Sequence, residues 1–329
     1  MVGVPRCEFF TTDYTDCTDF LFFFRVNSRY SRLIWARPCE IPKSRIALVT
    51  DSTAYLSPEK VQECNATVVP LYVHFDEEVY RDGVELAADT FFQKLKAAPA
   101  LPTTSQPSVG DFLELYRRLS QDHDAIISIH ISSGISGTVS TAQTARQTLR
   151  DELAKPPEIY VIDSQSASGG LALLATAAAR DIAQDWPAQQ VAQHVKELAA
   201  RAQMLFVVDT LEYLHKGGRI NGAAALFGSA LKIKPILYLQ NGKIEPLEKV
   251  RTSKRAKRRI LEIMEERIKD QPVHICIAQA QAPEEAERVR AYCAAHFDCR
   301  ELFIEGISPV ISTHVGPGTV VVSFYTVKS

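Results

Sequence analysis

Strands and helices alternate along the chain from Arg45 onward, and this order limits the fold more than any other feature of the sequence. The runs RIALVTDS, AIISIHIS and EIYVIDS are short, apolar and closed by Asp or Ser, as is typical of buried strands that lead into turns. Segments with helical periodicity follow them, and such an order requires parallel strands with crossover helices on both faces of the sheet. We therefore predict an α/β fold whose first domain is a parallel three-layer sheet.

The second half of the chain has a different pattern of secondary-structure signals. It contains Ala/Leu-rich helices at 169–183 and 191–202 and a hairpin signal, PILYLQNGKIEPLEKV, with an Asn-Gly turn. We predict an N-terminal α/β domain at 45–165 and a C-terminal α/β domain at 166–329, with a last strand that can return to either domain.

The first 44 residues show neither the strand period nor the helix period. We expect residues 1–44 to be a disordered leader, or the product of a start codon assigned too far upstream. A targeting or interaction tail is the alternative. The apolar stretch inside this segment is too short for a signal sequence or a membrane span.

Charge and cysteine content exclude several classes of function. The formal net charge is −2, which favours neither nucleic acid nor a membrane as a partner. The seven cysteines show no CxxC spacing, so we expect free thiols and a cytoplasmic location. The histidines form no HExxH or HxH pattern, and we expect no metal and no cofactor. A transient membrane contact is left open.

Two clusters of hydroxyl residues mark the candidate binding site. In an open α/β sheet, ligands bind at the carboxyl ends of the strands. SSGISGT at 132–138 follows a predicted strand and opens a helix, whose free N–H groups and dipole favour an anion. TTSQPS at 103–108 is stiffened by prolines. A capped helix start without a ligand is the alternative, but both clusters suit a carboxylate or a phosphate.

Basic residues form two further groups. Arg219 and His314 are flanked by glycines, and we expect them in a polar pocket. The run KVRTSKRAKRR at 249–259 is either a solvated helix face or a docking surface for an acidic partner or phosphate. It lacks the aromatic platform typical of RNA binding.

Evidence for self-contained catalysis is weak in the sequence. It contains no GxSxG nucleophile elbow, no Walker A loop and no GxGxxG fingerprint. His130 and Ser132 share a strand face but are not thereby in contact. We assign no catalytic residue, and a hydrolase or phosphotransferase that uses the hydroxyl loops remains an alternative.

Eight motifs in this order resemble the DegV family: VTDST, TTSQPS, SSGISGT, DSQSASGG, LHKGGRI, LKIKPIL, KVRT and HVGPGT. The likeness spans about residues 45–327 and leaves out the leader. It implies two α/β domains with a lipid tunnel between them that holds a long-chain fatty acid. Several members are the fatty-acid-binding (FakB-like) subunit of bacterial fatty acid kinase, and present the carboxylate to a separate ATP-dependent kinase.

The resemblance also implies roles for individual residues. Hydroxyl and amide donors would hold the carboxylate: Thr104, Ser105, Ser136, Gly137 and Thr138. Arg219 and His314 would lie near its exposed end. Basic residues would dock the kinase: Arg251, Lys254 and Arg255. A lipid-responsive regulatory module with another partner is a further alternative, and acyl chain length is not predicted.

Overall fold

The computed structural model describes residues 45–327, with the backbone alone at 228–232. The predicted leader at 1–44, with three of the seven cysteines, lies outside the described residues. The described strands are β1 (Ile46–Asp51), β2 (Ala66–Val69), β3 (Tyr72–Phe75), β4 (Glu78–Arg81), β5 (Thr103–Ser105), β6 (Ala125–His130), β7 (Glu158–Asp163), β8 (Gln203–Val207), β9 (Lys234–Gln240), β10 (Lys243–Val250), β11 (Val273–Gln279), β12 (Cys299–Gly306) and β13 (Val320–Thr326).

The described helices are α1 (Pro58–Glu63), α2 (Ala88–Ala97), α3 (Val109–Leu119), α4 (Thr138–Glu152), α5 (Gly169–Ala183), α6 (Ala188–Arg201), α7 (Glu212–Lys216), α8 (Ser253–Ile268), α9 (Pro283–His296) and α10 (Pro309–Val315). Two 3-10 helices, Ser52–Ala54 and Asn221–Lys232, complete the set. Side chains cap several helices as the sequence indicates. Ser108, for example, forms a capping box with Asp111 at the start of α3.

The first sheet is fully parallel, in the order β2-β1-β6-β7. Its two faces follow the period of two along β1. Ala47 and Val49 pack with α3 and α4, whereas Ile46 and Leu48 pack with α5 and α6. Helices therefore cover both faces, and the predicted α/β class with a three-layer first sheet is confirmed.

The stretch TVVPLYVHF forms two strands, although the sequence pattern predicts one. Pro70 lies between β2 and β3, and proline cannot donate a hydrogen bond to a sheet ladder. The chain leaves the first sheet there. It enters a second, antiparallel sheet of order β4-β3-β5. The hydroxyl-rich run supplies β5, an edge strand, rather than a loop without regular structure.

The third sheet has six strands in the order β10-β9-β8-β13-β11-β12. Only β11 and β12 are parallel, while the other neighbours are antiparallel. The hairpin between β9 and β10 turns at Asn241 and Gly242, both with positive φ, as the Asn-Gly signal indicates. The last strand lies inside this sheet, and the predicted domain boundary at residue 165 stays a prediction.

Helix α5 lies between the first and third sheets. Eleven of its residues are buried, and its side chains share one core cluster with β1 and β6 of the first sheet and with Cys276 and Tyr325 of the third. The opposite face of the third sheet packs against α8 and α9. This apolar helix therefore joins the two larger sheets through one shared core.

We expect Leu171→Ala to lower the free energy of unfolding by about 2–5 kcal/mol, because Leu171 is fully buried in the core around α5 and its truncation leaves a cavity. Urea unfolding followed by circular dichroism measures the change. Val84→Ala is the control, since that side chain is 62% exposed and its loss should change stability by less than about 0.5 kcal/mol. A Leu171→Ala protein as stable as the control would contradict this role for α5.

Candidate functional site

A cavity opens where the inner face of the third sheet meets the three-stranded sheet and the loops of the first sheet. Its lining is mostly apolar: Leu71, Ile131, Ile135, Ala167, Met204, Phe206, Leu214, Leu239, Ile244, Val310, Ile311 and Val315. Its polar lining is confined to six residues: Thr104, Ser105, Gln106, Ser136, Arg219 and His314. The centres of water-sized molecules could occupy about 60 Å³ of it. This apolar cavity, with its one polar group of side chains, is called the tunnel below.

A hydroxyl–imidazole hydrogen bond joins two of the predicted site residues. Thr104 Oγ1 and His314 Nε2 are 2.8 Å apart, although 210 positions separate them in the sequence. Thr104 lies on β5, paired with Val73 of β3, and His314 lies on α10. The structure therefore brings the hydroxyl-rich run and the C-terminal Gly-rich motif to the same place.

His314 is held in its neutral form. Burial, and next the charge of Arg219, lower its pKa to about 4. Its Nδ1 atom is buried without a hydrogen-bond partner among the described residues. Gly217 lies directly against Nδ1, where a Cβ atom would collide with the ring. The ring is thus fixed by packing on one side and by the Thr104 hydroxyl on the other.

Ser105 is placed differently from Thr104. Successive residues of a strand point to opposite faces, and the Ser105 hydroxyl lies 2.8 Å from Nε2 of His74 on the exposed side. Its neighbour across the sheet, Tyr72, donates a hydrogen bond to Asp111. Ser105 borders the tunnel, but its hydroxyl turns away from Thr104. Of these two residues, Thr104 is therefore the one whose hydroxyl lies beside His314 in the tunnel.

The second hydroxyl cluster faces the tunnel through Ser136. Its hydroxyl lies 2.9 Å from Thr138 Oγ1 and accepts a hydrogen bond from the Thr138 backbone N–H at 3.3 Å. Gly137 is in contact with the Gln106 side chain and leaves no room for a Cβ atom. Gly137 and Thr138 thus lie just behind the lining, at the N-terminus of α4, whose N-cap makes no side-chain hydrogen bond.

Arg219 is the member of the polar group that lies on the side of the third sheet. Its Nη1 donates to the Gly217 carbonyl at 2.7 Å, and its Nε donates to the Ile135 carbonyl at 3.3 Å. The second bond crosses to the Ser-Gly loop that carries Ser136. Arg219 therefore links the two loops that carry the predicted site residues, while no carboxylate of the described residues pairs with it.

The tip of the β9–β10 hairpin rests on the same Ser-Gly loop. The Ser132 hydroxyl donates a hydrogen bond to the Gly242 carbonyl at 2.8 Å. Gly134 lies so close to this carbonyl that no side chain fits between them. The hairpin strands in turn contribute Leu239 and Ile244 to the tunnel wall.

The predicted docking residues lie on a separate surface. A depression of about 450 Å³ is lined by Glu248, Lys249, Val250, Arg251, Arg255, Arg259 and Glu262. Arg259 is bound by Glu248 and Glu266. Among the described residues, Arg251, Lys254 and Arg255 form no ion pair. They are also exposed near the N-terminus of α8, where the helix dipole opposes positive charge.

A second histidine stands in an arrangement that resembles a catalytic triad. His130 Nε2 lies 2.7 Å from Ser128 Oγ, and His130 Nδ1 lies 3.1 Å from Asp51 Oδ2. All three side chains are completely buried, and Ser128 also bonds to Tyr116. No substrate reaches this serine, so the group ties β1, β6 and α3 together. The Ser132 hydroxyl donates to the Gly242 carbonyl rather than to His130.

The part of the chain that the structure describes offers no group of three or more His, Cys, Asp or Glu side chains that could hold a metal ion. Within residues 45–327, no helix has both the length and the apolar character to cross a bilayer. The four described cysteines are free thiols.

The model of the DegV family matches residues 45–327. The chain belongs to the DegV family. A DegV domain-containing protein of Halalkalibacterium halodurans is 40% identical over 287 residues, which is 87% of this chain and 100% of that protein. Two solved structures are described as fatty acid binding. A DegV family protein of Thermus thermophilus has a TM-score of 0.80 at 33% identity and covers 86% of this chain and 100% of its own. DegV of Bacillus subtilis has a TM-score of 0.78 at 36% identity, with 87% and 100% covered.

Several lining residues of this DegV family protein do not stand out in the sequence. Met204 and Phe206 alternate along β8 with Leu205 and Val207, which face the opposite core. The period of two predicts two faces but not which of them meets the tunnel. Gln106 lies inside the hydroxyl-rich run, so that motif marks its position in the sequence. No sequence pattern marks His74, which does not line the tunnel, because its contact with Ser105 arises only from the pairing of β3 with β5.

We expect the His314 ring to titrate near pH 4, and Arg219→Gln to raise that pKa without restoring the ordinary value of 6.5, since burial remains. A folded-state pKa below the unfolded one means that this group stabilises the fold above about pH 6.5. That contribution is lost as the pH falls through about 4. NMR of the histidine ring signals measures the titration. A His314 midpoint that Arg219→Gln leaves unmoved would show that the guanidinium charge does not act on this ring.

Proposed function

We propose that this protein binds a long-chain fatty acid in the tunnel and presents its carboxylate to a separate ATP-dependent kinase for acyl-phosphate formation. It acts as a non-catalytic carrier, without a cofactor, in the cytoplasm. The observation that carries the proposal is the pairing of a long apolar lining with one polar group at Thr104, Ser136 and His314. The two DegV structures described as fatty acid binding support the same ligand.

The apolar lining supplies affinity. A chain of ~15 methylenes that leaves water gains on the order of 12 kcal/mol before the costs of association and ordering are subtracted. The walls come from strands of two sheets and from α10, so the ligand is enclosed between elements that are far apart in the sequence. The hydroxyls add orientation, because each suits one oxygen of a carboxylate.

The wall of the tunnel can adjust its shape to such a ligand. Met204 is suited to this change, since an unbranched thioether adopts many shapes at low cost. Leu239 and Ile244 lie on a hairpin whose inner strand pairs with β8 at two positions only, Leu205 with Tyr238 and Phe206 with Leu237. The hairpin wall is therefore joined to β8 by a short pairing.

The polar group suits a carboxylate that must remain reactive. A neutral His314 and two hydroxyls can orient an anion without an ion pair in contact, and Arg219 adds a positive charge nearby. A lysine in direct contact would neutralise the oxygen that has to attack the phosphoryl group. The buried Ser128–His130–Asp51 group argues against a hydrolase, since a substrate cannot reach it.

The exposed basic surface is the proposed docking face for the kinase. Arg251, Lys254 and Arg255 have no acidic partner in the described chain and oppose the dipole of their own helix. An acidic surface on a partner would relieve both costs. Strand β10 runs from this surface to Ile244 in the tunnel wall, so the proposed docking face and the proposed ligand site share this strand.

We expect Thr104→Val combined with Ser136→Ala to weaken fatty-acid binding by about 5- to 150-fold, because the carboxylate loses two hydroxyl donors worth roughly 1–3 kcal/mol together. Titration calorimetry with oleate measures the affinity. Thr103→Val is the matched control, since this hydroxyl sits on the outward face of the same strand. Equal affinity of the double variant and the control would remove the two hydroxyls from the site.

We expect Arg251→Glu with Arg255→Glu to abolish acyl-phosphate formation with the kinase while oleate still binds, since charge reversal turns attraction into repulsion at the docking face. The assay uses ATP, oleate and a fatty acid kinase catalytic subunit. Arg288→Glu with Arg290→Glu on α9 makes the same change in net charge elsewhere. Normal turnover by the α8 variant would rule this surface out.

A further inference from the structure

The connector between β12 and α10 runs between two buried carboxyl groups. Glu305, near the end of β12, lies before the connector and is 6% exposed, while Asp82 lies beside its far end and is 1% exposed. The helix that follows carries Val310, Ile311, His314 and Val315 of the tunnel lining. The position of this helix therefore depends on how its first turn is held.

Asp82 holds that turn. Ser52 Oγ donates a hydrogen bond to Asp82 Oδ2 at 2.7 Å, and the Ser308 hydroxyl and the Val310 N–H also interact with the carboxylate. Among the described residues, Oδ1 has no well-aligned hydrogen-bond donor, so the contacts with Ser308 and Val310 are looser than the one with Ser52. One carboxylate thus links the turn after β1 to the start of α10.

The same contacts reach the tunnel wall from the other side. Ser52 Oγ accepts a hydrogen bond from the Leu71 N–H at 3.0 Å, and the Asp82 N–H donates to the Leu71 carbonyl at 2.8 Å. Leu71 and Val310 both line the tunnel. Asp82 is therefore one contact away from two lining residues on different elements, although it does not line the tunnel itself.

The charge state of Asp82 is finely balanced. Its pKa is raised to about 7, mainly by burial. The interactions with Ser52, Ser308 and Val310 lower this pKa, and the negative charge of Asp51 raises it. Tyr55 faces it from the turn after β1, and the charge of Asp82 contributes to the raised pKa of this phenol.

Glu305 faces the other end of the connector and has its own set of neighbours. Burial raises its pKa to about 7, the hydrogen bond from the Ser57 N–H and the charge of Lys60 lower it, and the charge of Glu59 raises it. The Ser57 N–H donates to Glu305 Oε2 at 3.1 Å. This carboxylate contacts α1 and its N-cap rather than α10, so its effect on the tunnel must be separated by experiment.

We propose that Asp82 is a positioning residue for the tunnel: its ionised carboxylate draws the first turn of α10 inward, and so places His314 for the ligand. An ionised carboxylate accepts the Ser52 hydrogen bond and also attracts the Ser308 hydroxyl and the Val310 N–H. Hydrogen bonds to an ionised acceptor are the stronger ones. When the carboxyl group takes up a proton, one oxygen becomes a donor and loses its attraction for the Ser308 and Val310 donors. The last link, to the ligand, rests on the proposed fatty-acid binding.

The first experiment needs no ligand. The His314 ring signals of the empty protein are followed by NMR from about pH 5.5 to about 8.5, well above the pKa of the ring itself. We expect an inflection near pH 7, and we expect Asp82→Asn to remove it. Glu85→Gln is the control and should keep the inflection, since Glu85 is an exposed carboxylate that pairs with Arg81. Ser52→Ala should move the inflection to higher pH, because it removes a hydrogen bond to the ionised form.

Loss of the inflection in Glu305→Gln but not in Asp82→Asn would overturn the assignment to Asp82, as would a flat profile in the unaltered protein. If Asp82→Asn does not fold, two other pH profiles still test the assignment. The unaltered protein must show the inflection, and Ser52→Ala must shift it to higher pH. None of these results depends on whether the protein binds a fatty acid.

The second experiment measures oleate affinity at about pH 6 and about pH 8. We expect Asp82→Asn to bind about tenfold more weakly than the unaltered protein at the higher pH, and nearly equally at the lower pH. Glu85→Gln should match the unaltered protein at both. If the ratio of the two affinities, unaltered protein to Asp82→Asn, is the same at both pH values, Asp82 has no pH-dependent role in binding. If no form binds oleate but the NMR inflection is present, the proposed function is refuted and the positioning role of Asp82 still stands.

Discussion

The burial of α5 between two sheets is the constraint on which the rest of the structure depends. A helix that is apolar on nearly all sides must be covered on all sides, and here the first and third sheets provide that cover. The loop before α5 carries Ala167 of the tunnel, and its Ser166 carbonyl accepts a hydrogen bond from Ser132 of the Ser-Gly loop. Packing of one helix thus fixes the distance between the hydroxyl loops and the sheet that faces them.

The polar group of the tunnel is built from four segments that share no local structure. An edge strand brings Thr104, a loop before α4 brings Ser136, a turn after α7 brings Arg219, and α10 brings His314. Each is held by a contact with another segment, such as Thr104 with His314 and Arg219 with Ile135. The geometry of this group therefore depends on the relative placement of the two halves of the chain.

Much of the fold follows from the sequence, because strand runs, helix periods and caps are local signals. The parallel first sheet, the Ser57 and Ser108 caps and the Asn-Gly hairpin all agree with their patterns. The motifs also contain Thr104, Ser136, Arg219 and His314, which line the tunnel. What the pattern does not predict depends on tertiary pairing. The break at Pro70, strand β4, helix α10 and the contact of Ser105 with His74 arise from neighbours that are distant in sequence. The segment Asn221–Lys232, rich in Ala and Gly, forms a 3-10 helix rather than an α-helix.

The contact between the hairpin tip and the Ser-Gly loop has a consequence for tolerated substitutions. Gly134 lies so close to the Gly242 carbonyl that any larger residue would push the hairpin away. Leu239 and Ile244 lie on the same hairpin and would be displaced with it. A position outside the wall thereby sets the shape of the wall.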